Sequence, residues 1–331
     1  MPKEAMFYEK LEDHRVRCVL CPHHCVIKPG HQGICRSRVN EDGKLIARSY
    51  AQVASLALDP IEKKPLYHFY PGKNILSTGT FGCNLSCAFC QNYHLVHGNP
   101  DTHTIGPQQL LELAGKSRAN SSIGVAFTYN EPIIWYEYIM DSAVLLKEKD
   151  LKVVMVTNGY IETEPLHHLL PYVDAMNIDV KAFKEEFYKK LCKAGLSKVM
   201  ETVEKAAGQC HIEITSLIIP GENDDLNDLK QMARWIAGIN PHIPLHLSRY
   251  HPAYRMDRES TPAGTLEQAR QIAREYLKHV YVGNLAGPDN NTYCTECEAL
   301  LIKRDAYYTN IIALDQGHCA GCGKEVSYIV T

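Results

Sequence analysis

The stretch ILSTGTFGCNLSCAFC, residues 75–90, decides the fold prediction for this chain. Its first six residues form a short β-rich run, which predicts a strand. The glycine-flanked loop that follows holds Cys83, Cys87 and Cys90 in the spacing C-x3-C-x2-C, and no fourth cysteine follows nearby. A closed zinc site needs four protein ligands, whereas three thiolates suit a 4Fe-4S cluster that keeps one iron open. The stretch therefore predicts a strand that leads into a reactive metal centre, with a zinc site completed by a distant His94 as the alternative.

The chain downstream repeats short apolar runs between longer amphipathic stretches. This alternation is typical of an α/β fold in which a parallel sheet is wound with helices. Helices are expected at Pro132–Lys149, with proline in the first turn, and at Thr265–Lys278. Further strands are predicted at residues 123–128, 152–157, 173–179, 212–219 and 244–248.

Polar residues whose side chains can bind a ligand or take part in a reaction follow nearly every predicted strand. Reactive groups of a β/α barrel gather at the carboxyl ends of its strands, on several different loops. The convergence of such residues predicts one site at that end of the sheet. The residues are Asn130 and Glu131, then Asn158, then Asp179 and Lys181, and finally His251.

The length of the chain and the placement of its cysteines indicate how many domains it forms. A chain of 331 residues is long enough for about two domains. A cysteine-rich lobe is expected at residues 1–72, a barrel at 73–284 and a second cysteine-bearing tail at 285–331.

The charge and hydropathy of the sequence exclude several classes of protein. Lys and Arg number 35 against 38 for Asp and Glu, so there is no basic field for coating nucleic acid. No run of 18 apolar residues exists to span a membrane, and the first residues carry no secretory leader pattern. A cytoplasmic protein is expected.

Thirteen cysteines point to metal rather than disulfides, because a reducing compartment keeps clustered thiols free. The tail spacing C-x2-C…C-x2-C is that of a zinc ribbon, with an auxiliary iron–sulfur cluster or a nucleic-acid reader as alternatives. The N-terminal group is less regular and suits zinc or a second cluster, with zinc preferred and His23, His24 or His31 as replacement ligands. The two groups are Cys294, Cys297, Cys319 and Cys322 in the tail, and Cys18, Cys21, Cys25 and Cys35 near the N-terminus.

The triplet Cys83, Cys87 and Cys90, with Phe89 before its last cysteine and Gln91-Asn92 after it, resembles the radical S-adenosylmethionine (SAM) enzymes. That resemblance implies a partial (β/α)6 TIM-like barrel with a 4Fe-4S cluster in the loop after the first strand. It also implies that the open iron binds the amino and carboxylate groups of SAM.

The resemblance extends to the other strand ends. Glu131 matches the glutamate of the usual Gly-Gly-Glu-Pro, which meets the amino group of SAM, while Asn130 replaces a glycine. Asp179 and Lys181 match an Asp-x-Lys in glycyl-radical activases, where they hold ribose hydroxyls and the carboxylate, and His251 resembles a late ribose-contacting histidine. Phe89 and Asn158 complete the expected cofactor-binding set.

Over nearly its whole length the chain resembles the radical enzyme of the AmmeMemoRadiSam system, through segments that include residues 59–66, 178–183 and 219–224. The resemblance implies reductive cleavage of SAM to methionine and a 5′-deoxyadenosyl radical that abstracts hydrogen from a substrate. It also implies a one-electron donor such as ferredoxin or flavodoxin, and a Memo-type protein as a partner. A glycyl-radical activase and a zinc-stapled binding module are the alternatives, and the sequence leaves the substrate open.

Overall fold

The computed structural model describes residues 3–331 and centres on one eight-stranded sheet. Seven of its strands are parallel and lie side by side in chain order. The strand Ser55–Pro60 pairs antiparallel with the first of them and forms one edge. The parallel strands are β1 (Asn74–Gly79), β2 (Ser122–Phe127), β3 (Lys152–Thr157), β4 (Ala175–Asp179), β5 (His211–Ile218), β6 (Leu245–Arg249) and β7 (Val280–Gly283).

This sheet confirms the expected α/β architecture. The two end strands, β7 and Ser55–Pro60, do not pair with each other in the described chain, so the barrel is partial. The six predicted strands correspond to β1 through β6, and the sheet gains β7 and the antiparallel edge strand beyond them. Strands such as β3 are buried on both faces, which is why they are near-continuous apolar runs in the sequence.

Helices cover the sheet between successive strands. Eight α-helices are present among the described residues, together with short 3-10 helices at Ile61–Lys63, Arg118–Asn120, Pro132–Trp135 and Leu170–Tyr172 and a π-helix at Tyr188–Cys192. The α-helices are α1 (Tyr93–His97), α2 (Pro107–Ser117), α3 (Tyr136–Glu148), α4 (Thr163–Leu169), α5 (Glu185–Phe187), α6 (Leu196–Ala206), α7 (Leu226–Ile239) and α8 (Ala263–Arg274).

The helix expected from Pro132 consists of two parts. Its first turn, Pro132–Trp135, is a 3-10 helix, and α3 begins only at Tyr136. The Glu131 side chain accepts a hydrogen bond from the Ile133 N–H and so caps this turn. The cap fixes Glu131 at the carboxyl end of the sheet, where the polar residues converge.

Two small antiparallel sheets form the N-terminal lobe. One pairs Lys3–Glu4 and Arg38–Glu41 with Lys44–Ala47, and the other pairs Tyr8–Lys10 and Val26–Ile27 with Val16–Cys18. A further ribbon pairs Gln52–Val53 with His103–Thr104.

A buried ion pair joins this lobe to α3. Arg38 donates to Glu137 at 2.6 Å, and both side chains are 1% exposed. Glu137 also accepts from the Met6 N–H, and Arg38 donates to the Met6 carbonyl, so both charges have further partners. Breaking one half of such a buried pair is strongly destabilising, so the lobe is held firmly on the barrel.

The C-terminal tail is a small antiparallel unit that packs on residues 67–70. Arg304 donates to the Tyr67 carbonyl at 2.7 Å and lies over the Tyr67 ring. The Tyr70 N–H bonds to the Val330 carbonyl. The tail strands are Thr292–Tyr293, Leu300–Asp305, Tyr308–Ile311, Leu314–Asp315 and His318–Cys319.

The boundaries expected near residues 72 and 285 stay predictions. Within residues 3–331, no helix is both long enough and apolar enough to cross a bilayer.

Candidate active site

A cavity of about 360 Å³ lies at the carboxyl ends of the parallel strands. Its volume is within the range of pockets that hold small molecules and cofactors. It gathers nine of the ten residues that the sequence predicts as cofactor-binding, from loops of four different strands. They are Cys83, Cys87, Phe89, Cys90, Asn130, Glu131, Asn158, Asp179 and Lys181.

The loop that bears the three cysteines is fixed from behind by the π-helix. The Ser86 N–H donates to the Cys192 carbonyl and the Ala88 N–H to the Leu191 carbonyl, each at 3.0 Å. Phe89 is buried and packs against Phe187, with ring centroids 5.7 Å apart. The loop therefore presents its thiols from a rigid support.

Cys192 lies beside this loop. It is fully buried, and its contact with Cys87, together with the nearby Lys181, lowers the pKa of the Cys87 thiol. Only the π-helix brings Cys192 to the loop, so no local motif could have indicated it.

Asn130 braces the loop from the side of β2. Its amide oxygen accepts from the Thr80 N–H, and its amide nitrogen donates to the Gly82 carbonyl, both at 3.0 Å. A glycine could make neither bond. The departure from the Gly-Gly-Glu-Pro pattern thus supplies a clamp on the backbone that leads into Cys83.

Glu131 is a buried carboxyl group with three donors. It accepts from Thr157 Oγ1 at 2.6 Å, from the Asn158 N–H at 2.7 Å and from the Ile133 N–H at 3.0 Å. Burial raises the pKa of Glu131 to about 7, although these donors oppose the shift. A buried carboxyl group with so high a pKa is suited to a cationic or hydrogen-donating ligand.

Asn158 connects the end of β3 with the cysteine loop. Its Nδ2 lies 3.7 Å from Cys83 Sγ and donates to Asn84 Oδ1 at 2.9 Å. A weak N–H···S contact of this kind orients the sulfur.

Asp179 and Lys181 form an ion pair at the end of β4. Lys181 Nζ donates to Asp179 Oδ2 at 2.9 Å, and the exposed side-chain fractions are 16% and 34%. Burial would lower the pKa of Lys181, but Asp179 and the nearby Cys87 raise it well above its ordinary value. The lysine therefore stays charged beside the thiols and can attract a carboxylate.

His251 is the predicted residue that the structure does not bring into this cavity. It is exposed, its Nδ1 lies 3.1 Å from Ser260 Oγ, and it lines a neighbouring open pocket of about 670 Å³. Gln91 and Asn284 line both spaces, so the second pocket is the outer mouth of the first.

Two residues of the wall, Lys64 and Tyr129, form a network with Asp59 behind them that the sequence did not indicate. Lys64 Nζ donates to Asp59 at 2.8 Å, and the Tyr129 hydroxyl donates to the same oxygen at 2.7 Å. Burial would raise the pKa of Asp59, but these donors hold it down to about 2. Tyr129 has φ of +71°, an uncommon conformation for tyrosine that turns the chain at the end of β2.

Neither of the other two cysteine groups lines this cavity. The tail thiols are compact, since Cys294 and Cys322 are 3.8 Å apart at sulfur and Cys297 and Cys319 are 3.7 Å apart. All four tail sulfurs lie within 4.8 Å of one another. The N-terminal thiols Cys18, Cys21, Cys25 and Cys35 line a cavity of their own.

The cavity fits the donor chemistry expected from the cysteine triplet. Three free thiols lie on one wall, and a carboxyl group, an ion pair and backbone donors lie along the rest. Thiolates bind iron, and the charged groups match the amino and carboxylate ends of a zwitterionic cofactor.

Comparison with known proteins gives the class. Residues 77–236 match the model of the radical SAM superfamily. The pyruvate formate-lyase-activating enzyme of Clostridium pasteurianum is 24% identical over 51% of this chain and 72% of its own. The chain carries a radical SAM superfamily domain at residues 77–236, is similar to the pyruvate formate-lyase activases, and is an enzyme, which removes the binding-module alternative.

An uncharacterized protein of Methanocaldococcus jannaschii is 45% identical over 99% of this chain and 100% of its own length. Among solved structures, Streptococcus suis SuiB bound to S-adenosylmethionine aligns with a TM-score of 0.53 at 12% identity, over 68% of this chain and 53% of that one. That likeness is one of fold.

Proposed function

We propose that this enzyme holds a 4Fe-4S cluster on Cys83, Cys87 and Cys90 and binds SAM beside it. The observation that carries the proposal is the 360 Å³ cavity, because its wall holds these three free thiols and no fourth cysteine among the described residues. When bound, the cluster and SAM supply a 5′-deoxyadenosyl radical that takes a hydrogen atom from the substrate.

The chain's own residues bind and orient in this proposal. Glu131 accepts a hydrogen bond from the amino group of SAM, and Lys181 pairs with its carboxylate. Asp179 accepts from ribose hydroxyls through the carboxylate oxygen that Lys181 leaves free, since the ion pair uses Oδ2. Asn130 holds the cysteine loop in place through the Thr80 N–H and the Gly82 carbonyl.

Anaerobic reconstitution tests the proposal. The chain is loaded with iron and sulfide, reduced with dithionite and given SAM, and 5′-deoxyadenosine and methionine are measured. Wild type is expected to form both products, and Cys83→Ala, Cys87→Ala and Cys90→Ala are each expected to form none. A Cys210→Ser variant, which changes a cysteine outside the cavity, is the matched control. Equal product formation by a triplet variant would contradict the proposal.

Membership of the AmmeMemoRadiSam system, with a Memo-type partner, is part of the proposal. It is supported by the sequence resemblance of segments such as 59–66, from which Asp59 and Lys64 reach Tyr129 at the cavity wall. The electron is expected from a ferredoxin or a flavodoxin. Co-purification of a tagged chain with a Memo-type protein tests the partner, and recovery of no complex at micromolar concentrations would count against it.

A glycyl-radical activase is the second candidate. The open outer mouth of about 670 Å³, lined by Tyr93, His251 and Tyr254, favours a substrate as large as a protein loop. A stable glycyl radical in a companion protein, detected by EPR after incubation with the reduced enzyme and SAM, would establish this candidate over a small-molecule substrate.

The tail is proposed to hold structural zinc. Zn–S bonds of about 2.3 Å in a tetrahedron place sulfurs about 3.8 Å apart, which agrees with the 3.7 and 3.8 Å separations in the tail. A cytoplasmic location is proposed as well, supported by thirteen cysteines that are all free.

A further inference from the structure

The N-terminal lobe contains a second place where four thiols face one space. Cys18 ends the strand Val16–Cys18, Cys21 and Cys25 lie in the loop before Val26–Ile27, and Cys35 precedes Arg38–Glu41. All four are free and line the same cavity. The remaining wall is largely apolar and includes Leu20, Ile27, Ile34, Ile133 and Ile134.

The separation of these sulfurs distinguishes the lobe from the tail. In the tail, four sulfurs lie within 4.8 Å of one another, as a single tetrahedral ion requires. Over residues 3–331, no other set of three or more His, Cys, Asp or Glu ligand atoms lies within 4.8 Å of one another. The four N-terminal sulfurs are therefore spread more widely than the four tail sulfurs. The four cysteines and their neighbours line a cavity of about 20 Å³. Four sulfurs bound to one zinc ion would lie about 3.8 Å apart, close to the separations found in the tail.

The wide spacing is shared with the catalytic loop. Cys83, Cys87 and Cys90 also face a common cavity, and their three sulfurs do not all lie within 4.8 Å of one another, within the residues that the structure covers. A cube of iron and sulfide separates its thiolates in this way, because each thiolate binds a different iron.

We propose that Cys18, Cys21, Cys25 and Cys35 bind a second iron–sulfur cluster, of the 4Fe-4S type, rather than the zinc that the sequence led us to prefer. With four thiolates available, every iron is capped, so this cluster carries electrons and does not bind a substrate. The apolar wall shields it from water.

The lobe cavity lies directly behind the catalytic loop. The Cys35 carbonyl is so close to Gly82 that an added Cβ there would be 2.2 Å from it. His23 Nε2 donates to the Asn84 carbonyl at 2.6 Å, and the Asn84 side chain reaches Asn158 in the active cavity. One residue layer, Gly82 to Asn84, therefore separates the two sites, which places the proposed cluster next to the first.

The test uses the full chain without the three catalytic-loop cysteines. Any cluster that it binds is then held by the N-terminal cysteines, whether or not the proposed function is correct. The triple variant Cys83→Ala, Cys87→Ala, Cys90→Ala is purified and reconstituted anaerobically, and its metals, sulfide and reduced EPR spectrum are measured. It is expected to keep about four irons and four sulfides per chain with the EPR signal of a reduced 4Fe-4S cluster. Less than one iron per chain, with two zinc ions, would overturn the proposal.

A fourth substitution checks the ligands. Adding Cys25→Ser to the triple variant is expected to remove most of the iron, whereas adding Cys210→Ser is expected to remove none. If circular dichroism shows that the triple variant is unfolded, iron analysis of the wild-type protein is the test instead, and about eight irons per chain are expected. About four irons and two zinc ions in wild type would overturn the second cluster while leaving the first intact.

Discussion

Gly82 is the position where one added methyl group tests the contact between the lobe and the catalytic loop. Its φ is +84°, and a Cβ added there would lie 2.2 Å from the Cys35 carbonyl oxygen and 3.3 Å from Ile134 Cδ1. The left-handed conformation costs a non-glycine residue about 1–2 kcal/mol. Moving a backbone carbonyl out of the way adds the cost of overpacking, about 1–3 kcal/mol. Gly82→Ala is therefore expected to destabilise the protein by about 2–5 kcal/mol.

Two matched glycines separate the two costs. Gly30 has φ of +74° and no atom within 4 Å of an added Cβ, so Gly30→Ala carries the conformational cost alone. Gly115 lies inside α2 with open space around an added Cβ, so Gly115→Ala is expected to stabilise the helix by about 0.5–1 kcal/mol.

Thermal melts and iron analysis of the anaerobically reconstituted protein measure these differences. For a chain of this length, 1 kcal/mol corresponds to about 1.4 °C in Tm. The expected changes in Tm are about −3 to −7 °C for Gly82→Ala, about −1 to −3 °C for Gly30→Ala and about +1 °C for Gly115→Ala. Gly82→Ala is also expected to bind less than half of the wild-type iron. A Gly82→Ala protein that melts with Gly30→Ala and keeps its iron would refute the close approach of Cys35 to the loop.

Three further predictions concern the cavity, the pH dependence of stability and the tail. Glu131→Gln is expected to weaken SAM binding about 10–100-fold in calorimetry, since a hydrogen bond to a charged group contributes about 1.5–3 kcal/mol. The control is Glu62→Gln, which changes a buried carboxyl group outside the cavity and should leave SAM binding unchanged. Equal affinity of the two variants for SAM would argue against the role assigned to Glu131. Burial lowers the pKa of His279 to about 3. Between pH 6.5 and 3 the folded protein therefore binds fewer protons at this residue than the unfolded chain does. The free energy of unfolding falls as the pH falls, by about 1.4 kcal/mol per pH unit from this group. Urea midpoints at pH 7 and 5 should show a smaller loss for His279→Gln than for wild type, and identical losses would contradict the assignment. Cys297→Ser is expected to release the tail zinc, because serine is a poor zinc ligand; metal analysis that finds zinc unchanged would exclude this site.

Several features were predictable because they are local in the chain. The run before Cys83 is apolar and β-rich, so it indicated β1, and the thiol spacing that follows indicated a metal loop at its end. The parallel topology then brings the carboxyl ends of neighbouring strands to one edge, which is why Glu131, Asn158 and Asp179 could be expected to meet.

Contacts between distant segments were not predictable from spacing. Asp59 and Tyr129 are 70 residues apart and meet only because the antiparallel edge strand lies beside β1. Cys192 reaches the catalytic loop only through the π-helix that supports it. His251 has a suitable position in the chain, but its loop turns it to the outer mouth instead of the cavity.

The sequence by itself determined the class of chemistry and the order of the strands, because residue type, spacing and hydrophobic period are local properties. Tertiary structure alone decided the separation of the thiols in each cysteine group. Both the lobe and the tail offer four cysteines, yet only the tail brings its sulfurs within 4.8 Å of one another, in the part of the chain described. The reason is physical: sulfur separation depends on how the loops fold on the surrounding core, and that separation selects between a single ion and a cluster.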